Sequence, residues 1–139
     1  MNDSAPSNTQ RVVIVLPGLG NGGAERSAIQ LAACWADAGR CVTIATLTSP
    51  ETDFYALPSG IDRLALNLAS SSPNVISGLF RSINRILHLR KELHALKPDV
   101  VVAFTVRTNV LVILASVLCS WRLIVADRSH PGLESLKGV

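Results

Sequence analysis

Residues 11–23 read RVVIVLPGLGNGG, and the reading of this stretch decides the fold. Its first part, RVVIVL, is a short β-branched apolar run that stops at Pro17, the pattern of a strand buried on both faces. Residues 17–23 (PGLGNGG) supply a glycine-rich turn. Beyond it the period changes. Ala28, Leu31, Ala32 and Trp35 recur at helical spacing across residues 24–38, and Gly39 stands where a helix C-terminus takes a left-handed residue. Residues 41–47 (CVTIATL) make a second strand. Strand, glycine turn, helix and strand in that order open a parallel sheet.

Further along, residues 49–60 hold Pro50, Pro58 and Gly60 and read as a loop. Residues 61–68 set Ile61, Arg63 and Ala65 against Asp62, Leu64 and Leu66, which predicts an edge strand. Residues 69–78, Ser-rich with Pro73, read as a second loop, and residues 79–96 as a long helix ended by Pro98. Residues 99–104 (DVVVAF) predict another apolar strand, residues 108–120 a helix and residues 122–126 (RLIVA) the next strand. Residues 132–139 are weakly patterned, and no internal repeat is visible. The expected fold class is α/β, a Rossmann-like open parallel sheet with helices on both faces. Right-handed crossovers would place the first strand centrally. Ligands in such sheets bind outside the carboxyl ends of the strands, where the strand order reverses, so loops 17–23, 104–109 and 127–131 matter.

A length of 139 residues suits one domain. The 48% hydrophobic content, mostly Ala, Val, Ile and Leu with few aromatics, favours buried strands covered by small-residue helices. A mean hydropathy of +0.36 is high for a soluble domain and predicts apolar surface that meets a partner or a membrane. The most apolar stretch, residues 110–119, is about half the ~20 residues a membrane span requires. Residues 1–10 are polar with Asp3 as their one charge, lack the pattern of a signal peptide, and are expected to be a disordered leader to a domain at 11–139. A net charge of +3 does not call for nucleic acid. Cys34, Cys41 and Cys119 show no CxxC spacing, so zinc and a disulfide framework are poorly supported and a reducing cytoplasm fits.

Gly18, Gly20 and Gly23 spell GxGxxG directly after the first strand. Backbone amides there, with the positive end of the next helix, form an anion site. A dinucleotide ranks second as the occupant. Its fingerprint wants an acid at the end of the second strand, and Ala45-Thr46-Leu47-Thr48 offers none before Glu51. Pro17 also interrupts the usual strand-to-turn junction, and no Gly-Lys-Ser/Thr follows for a Walker A loop. A tight turn with close strand–helix packing and no ligand is the plainer alternative.

At this loop the chain resembles a known family. Gly22-Gly23-Ala24-Glu25-Arg26 after a first strand resembles the GGAER signature of family-4-type glycosyltransferases. The passage Trp35 to Thr43 (WADAGRCVT), Lys97-Pro98-Asp99-Val100-Val101, and Ala126-Asp127-Arg128-Ser129-His130-Pro131 are similar to three further family segments. The last is similar to the branch that extends polyprenyl-diphosphate-linked oligosaccharides, with Asp127 where Glu is usual. The resemblance covers roughly residues 11–131. It implies the N-terminal, acceptor-side half of a retaining enzyme of hexosyltransferase type with the two-domain GT-B architecture. The C-terminal donor-binding domain would be absent from this stretch, which alone should be inactive. It further implies a nucleotide sugar as donor, a cell-envelope glycan or polyprenyl-diphosphate-linked acceptor, no cofactor and no metal. No Asp-x-Asp occurs here. The location implied is cytoplasmic, peripheral on the inner face of the cell membrane. A dinucleotide-binding oxidoreductase domain and a non-catalytic truncated remnant are the alternatives.

On that resemblance Gly22, Gly23 and the Ala24 amide would approach the donor diphosphate or the acceptor. Glu25 and Arg26 sit in the first helical turn, where Glu25 otherwise complements the helix end and Arg26 holds a phosphate or pairs with an acid. Asn109 is expected either to cap a helix or to meet a sugar hydroxyl. Asp127 and Arg128 would contact diphosphate or acceptor; Thr105, Arg107 and His130 share the rim with weaker claims. The helix at 79–97 carries Arg81, Arg85, Arg90 and Lys91 against an apolar stripe of Leu79, Ile83, Ile86, Leu87, Leu93 and Leu96. Such a helix either covers the sheet or lies on an anionic membrane surface and grips lipid-linked diphosphate. Trp35 and Trp121 are expected to be core.

Overall fold

A computed structural model describes residues 9–68 and 75–127. Five strands form one parallel sheet in the order β3-β2-β1-β4-β5: β1 Arg11–Leu16, β2 Cys41–Thr46, β3 Ile61–Ala65, β4 Val100–Phe104 and β5 Arg122–Ala126. The helices are α1 Gly23–Asp37, α2 Val75–Leu96 and α3 Val106–Ala115. The first strand is central, with Val13 paired to Thr43 on one side and Val101 on the other.

The unbroken apolar runs follow from burial on both faces. Val12, Ile14 and Leu16 of β1 join Val42, Ile44, Val102 and Phe104 against Ala28 and Ala32 of α1. Val13 and Val15 point to the opposite face and pack with Val101, Ala103, Leu89 and Leu93 of α2, and Val112 and Ala115 of α3. Trp35 packs against the first cluster and Trp121 against the second, so both lie on the core side as expected.

α1 ends in a Schellman motif. The Arg40 amide donates to Trp35 O at 3.0 Å and the Gly39 amide to Ala36 O at 2.9 Å, with Gly39 at φ +82°. Gly39→Ala should therefore cost about 1 kcal/mol through backbone strain alone, since nothing crowds the added methyl. A lowered urea midpoint with an unchanged m-value would show it.

Several boundaries differ from the sequence expectation. β3 stops at Ala65 rather than continuing to Leu68, and α2 begins at Val75 inside the stretch read as loop. α3 spans Val106–Ala115 rather than 108–120, because the backbone reaches helical geometry directly after Thr105, which has a positive φ. The largest correction concerns the stripe on α2. Leu93 is buried, as is Leu89, which the stripe had not included, and Ile86 and Leu96 pack beside them. Leu79, Ile83 and Leu87, like Phe80, are exposed. A helix of 22 residues is about 33 Å long, whereas a strand of 5 residues spans about 17 Å. The amino-terminal part of α2 therefore extends past the sheet that buries the rest. The expected leader, residues 1–10, lies outside the described residues except for Thr9 and Gln10, and Arg128 and His130 also lie outside them.

Candidate functional site

The strand order turns between β1 and β4, so the loops following these two strands face each other across the switch point. After β1 comes the glycine loop. Its Leu19 is fully buried, and its Gly22 is the N-cap of α1 in an extended conformation without a side-chain cap bond. The Glu25 carboxylate folds back over Gly22, where an added Cβ would collide with it. A native carboxylate thus already complements the positive end of α1. The close packing of Gly18 is of another kind: a Cβ there would lie 2.5 Å from Thr48 Oγ1, a buried hydroxyl with no hydrogen-bond partner among the described residues.

Across the switch point stands α3. Thr105, not Asn109, is its N-cap, and it makes no side-chain cap bond. Thr105 holds φ 74° and ψ 145°, a region that is nearly glycine-only and costs a β-branched residue about 1–3 kcal/mol. Its amide donates to Ala126 O at 3.2 Å, at the end of β5, and its hydroxyl lies 3.3 Å from that of Thr108. The first turn of α3 contains no acid and includes Arg107. Its amino-terminal N–H groups, unlike those of α1, have no carboxylate of their own element over them.

Asn109 lies within α3 and is 9% exposed. The reading of it as a cap fails because it sits a full turn inside the helix, where its own amide donates to Thr105 O at 2.8 Å. Its side-chain Nδ2 donates to the same Ala126 O at 3.2 Å, which settles which end of the amide is the donor. Its Oδ1 is buried without a hydrogen-bond partner among the described residues. Ala126 O therefore joins the start of α3 to the end of β5 and places Asn109 near Asp127, the next residue along. Buried orphan acceptors are uncommon, and each one asks for an explanation such as a ligand donor.

The remaining expected residues separate into groups. Arg90 donates to Ala115 O at 3.4 Å and Val117 O at 2.6 Å, closing the carboxyl end of α3 rather than facing outward with the other cations. Arg81 and Arg85 line a cleft of about 300 Å³ with Asn67, Asn84 and His88, and Lys91 is exposed further along α2. Glu51, the first acid after β2, has its carboxyl held below the usual range by the Ser49 hydroxyl and then by its own amide. The end of β2 carries no acid: Thr46 Oγ1 donates to Thr48 O at 3.0 Å and accepts from Arg63.

An ion pair that the sequence analysis did not single out reinforces this side. Arg63 Nε and Nη2 donate to the two oxygens of Asp53, at 2.7 and 2.8 Å, with both side chains under a fifth exposed. The two residues are ten positions apart across a loop, and no short motif announces the pairing. No helix among the described residues is long and apolar enough to cross a membrane.

A parallel sheet with helices on both faces, a glycine loop after the central strand and a second helix start across the switch point define a Rossmann-like domain of the kind that forms the N-terminal half of a GT-B glycosyltransferase. The profile of Glycosyltransferase Family 4 matches residues 21–126, most of the chain, and the protein belongs to that family. In structure the chain is similar to a glycosyltransferase from Rickettsia africae, with a TM-score of 0.61 and 17% identity. That match covers 93% of this chain and 33% of the other, so the chain spans about a third of that protein's length. It is also similar to the C-terminal domain of a hydrogenase from Pyrococcus furiosus, with a TM-score of 0.54 and 15% identity over 87% of this chain and 94% of that one. At such identities both likenesses bear on the fold. No curated protein sequence matches the chain.

Proposed function

We propose that this chain is the acceptor-side half of a retaining hexosyltransferase that moves a sugar from a nucleotide-sugar donor to a cell-envelope glycan or polyprenyl-diphosphate-linked acceptor, without a metal or further cofactor. The observation that carries this reading is the buried orphan Oδ1 of Asn109 beside the uncapped start of α3. An acceptor hydroxyl donates to that oxygen, and the α3 amides face a diphosphate oxygen. Holding the hydroxyl in place is this half's contribution to the rate; the donor-binding half of a GT-B enzyme supplies the nucleotide sugar. Gly22, Gly23, Ala24 and Arg26 border the same crevice from the α1 side, with Glu25 limiting how close an anion comes there. Asp127, next after β5, continues the rim, and Arg128 is assigned to the same ligand by its place in the sequence.

Asn109→Leu tests this assignment. The exchange removes one hydrogen bond and one orphan acceptor together, so stability should change by under ~1 kcal/mol. Binding of a polyprenyl-diphosphate-linked saccharide, read by calorimetry, should weaken about tenfold, the effect of one lost hydrogen bond in a buried site. The chain by itself should give little or no transfer from any nucleotide sugar; robust turnover would overturn the acceptor-side assignment. Tight binding of NAD with no binding of the acceptor would favour the dinucleotide reading instead.

A second part of the proposal is contact between α2 and an anionic membrane surface. Leu79, Phe80 and Ile83 are exposed on the amino-terminal part of the helix and Leu87 on its outer side, with Arg81 and Arg85 between them and Lys91 beyond. Apolar side chains interleaved with cations suit the headgroup boundary, and each cation near an anionic surface contributes about 1 kcal/mol. Arg81→Glu with Arg85→Glu should lower partitioning onto phosphatidylserine-containing vesicles by tenfold or more, by the same arithmetic. Equal sedimentation of both proteins with the vesicles would refute the membrane contact. This reading supports a peripheral location on the inner face of the cell membrane.

A further inference from the structure

The loop from β2 to β3 carries an aromatic pair on a support that leaves it little freedom. Phe54 is 64% exposed, and the Tyr55 ring meets its ring edge to face with centroids 5.0 Å apart and planes at 87°. The amides of Phe54 and Tyr55 both donate to the carbonyl of the fully buried Leu19, at 2.7 and 3.3 Å. The Tyr55 hydroxyl donates to Asn21 Oδ1 at 3.4 Å, which ties the pair to the glycine loop. Directly before Phe54, Asp53 is locked to Arg63, and after it Leu57 packs against the core. Exposure of a large ring on a swinging loop would mean little. Here the backbone on both sides of the ring is held, so the chain maintains an apolar face toward solvent beside the crevice at the switch point.

We propose that Phe54 and Tyr55 form a saccharide-binding platform, on which the C–H face of a pyranose ring stacks against Phe54 while its hydroxyls reach Tyr55 and Asn21. The inference deepens the acceptor-side reading and rests on it for the choice of a sugar. The adjoining cleft of about 490 Å³, lined also by Asp53 and Arg63, lies within the ~300–1,000 Å³ typical of small-molecule sites. Its chemistry matches a ring that is apolar on one face and polar around its rim. A saccharide hydroxyl can donate to the Tyr55 oxygen or accept from the Asn21 amide N–H, and a lipid chain can do neither. The platform would hold a sugar unit of the acceptor away from the reacting hydroxyl, whose place is at Asn109.

Tyr55 is the single tyrosine of the sequence, so fluorotyrosine incorporation gives one reporter resonance in the whole chain. The labelled protein is titrated with methyl pyranosides of glucose, galactose, mannose and N-acetylglucosamine, and with β-linked disaccharides, up to their solubility limits. At least one sugar is expected to shift the Tyr55 resonance. Phe54→Ala should weaken that binding roughly tenfold, equivalent to about 1.4 kcal/mol, and Phe54→Trp should restore it. Because the Phe54 ring is exposed, Phe54→Ala should keep the wild-type circular dichroism and urea midpoint. A resonance that no sugar moves, a shift undiminished in Phe54→Ala, or a response to polyprenyl phosphate in detergent but to no sugar would each overturn the platform. Silence of Tyr55 alongside Asn109-dependent acceptor binding would remove the platform and leave the acceptor-side reading standing. A Tyr55 shift with a sugar, without any Asn109-dependent acceptor binding, would do the reverse.

Discussion

Leu93→Ala should destabilise the chain by about 3 kcal/mol, whereas Leu87→Ala should cost under ~0.5 kcal/mol. Both leucines belong to the same helix and the same apolar stripe by sequence. Leu93 is 1% exposed and packs among Leu89, Val101 and Val112, so truncation leaves a cavity lined by strands and by α3 that have little room to collapse. Leu87 is 58% exposed and has little burial to lose. Urea unfolding followed by circular dichroism measures both, and the difference between them is the informative quantity, because helix propensity is common to the two exchanges. Comparable losses at the two positions would show that the outer side of α2 is covered rather than exposed. The membrane proposal would then lose its exposed ridge.

The second large effect is expected at Arg63. Arg63→Ala should cost about 2–3 kcal/mol, below the ~3–5 kcal/mol seen when a fully buried pair is broken, because each partner retains nearly a fifth of its exposure. Asp53 would keep its charge without its bidentate partner, and Thr46 Oγ1 would lose a donor. Arg63→Lys should recover only part of the loss, since one ammonium cannot present two parallel donors to the carboxylate. Calorimetric melting measures the energy, and the fluorotyrosine signal measures the consequence for the loop. If the ion pair holds the aromatic platform, the Tyr55 resonance broadens or shifts in Arg63→Ala and returns toward its wild-type position in Arg63→Lys. An unchanged melting temperature would show that the pair contributes nothing net.

The Asn109 acceptor and the aromatic pair both lie in or beside the loops over the carboxyl edge of the sheet. On the proposed reading, the unpaired Asn109 Oδ1 takes a hydroxyl, the start of α3 takes an anion, and the Phe54–Tyr55 pair tied to Asn21 takes a sugar ring. An acceptor with a saccharide and a diphosphate carries both kinds of group. The proposed membrane contact of α2 would bring the domain to a bilayer surface, where lipid-linked acceptors reside.

Much of this architecture was legible in the residues by themselves. β1, its glycine turn, α1 and β2 were readable from Arg11 to Thr46 because each is encoded by its own short-range period and its own punctuation, from the VVIVL run to Gly39 at the helix end. Strand alternation and helical spacing are local properties, and the right-handed crossover then leaves few places for the first strand other than the centre. The family signature at Gly22–Arg26 depended on the same local stretch. Only the tertiary structure decided the rest. Whether a leucine on α2 is core or surface depends on which side of the helix meets the sheet and α3: Leu89 and Leu93 face them, while Leu87, six residues before Leu93 and so on another side, does not. Asn109 reads as a cap by neighbourhood, yet its role comes from Ala126, seventeen residues away, brought alongside because β4 and β5 are neighbours in the sheet. Tyr55 reaches Asn21 because sheet order brings the loops after β1 and β2 together, and Arg63 meets Asp53 because β3 pairs with β2 and returns beside the loop that joins them. Patterns within one element are set by covalent spacing; the chemistry at the ends of these strands is set by which strands became neighbours.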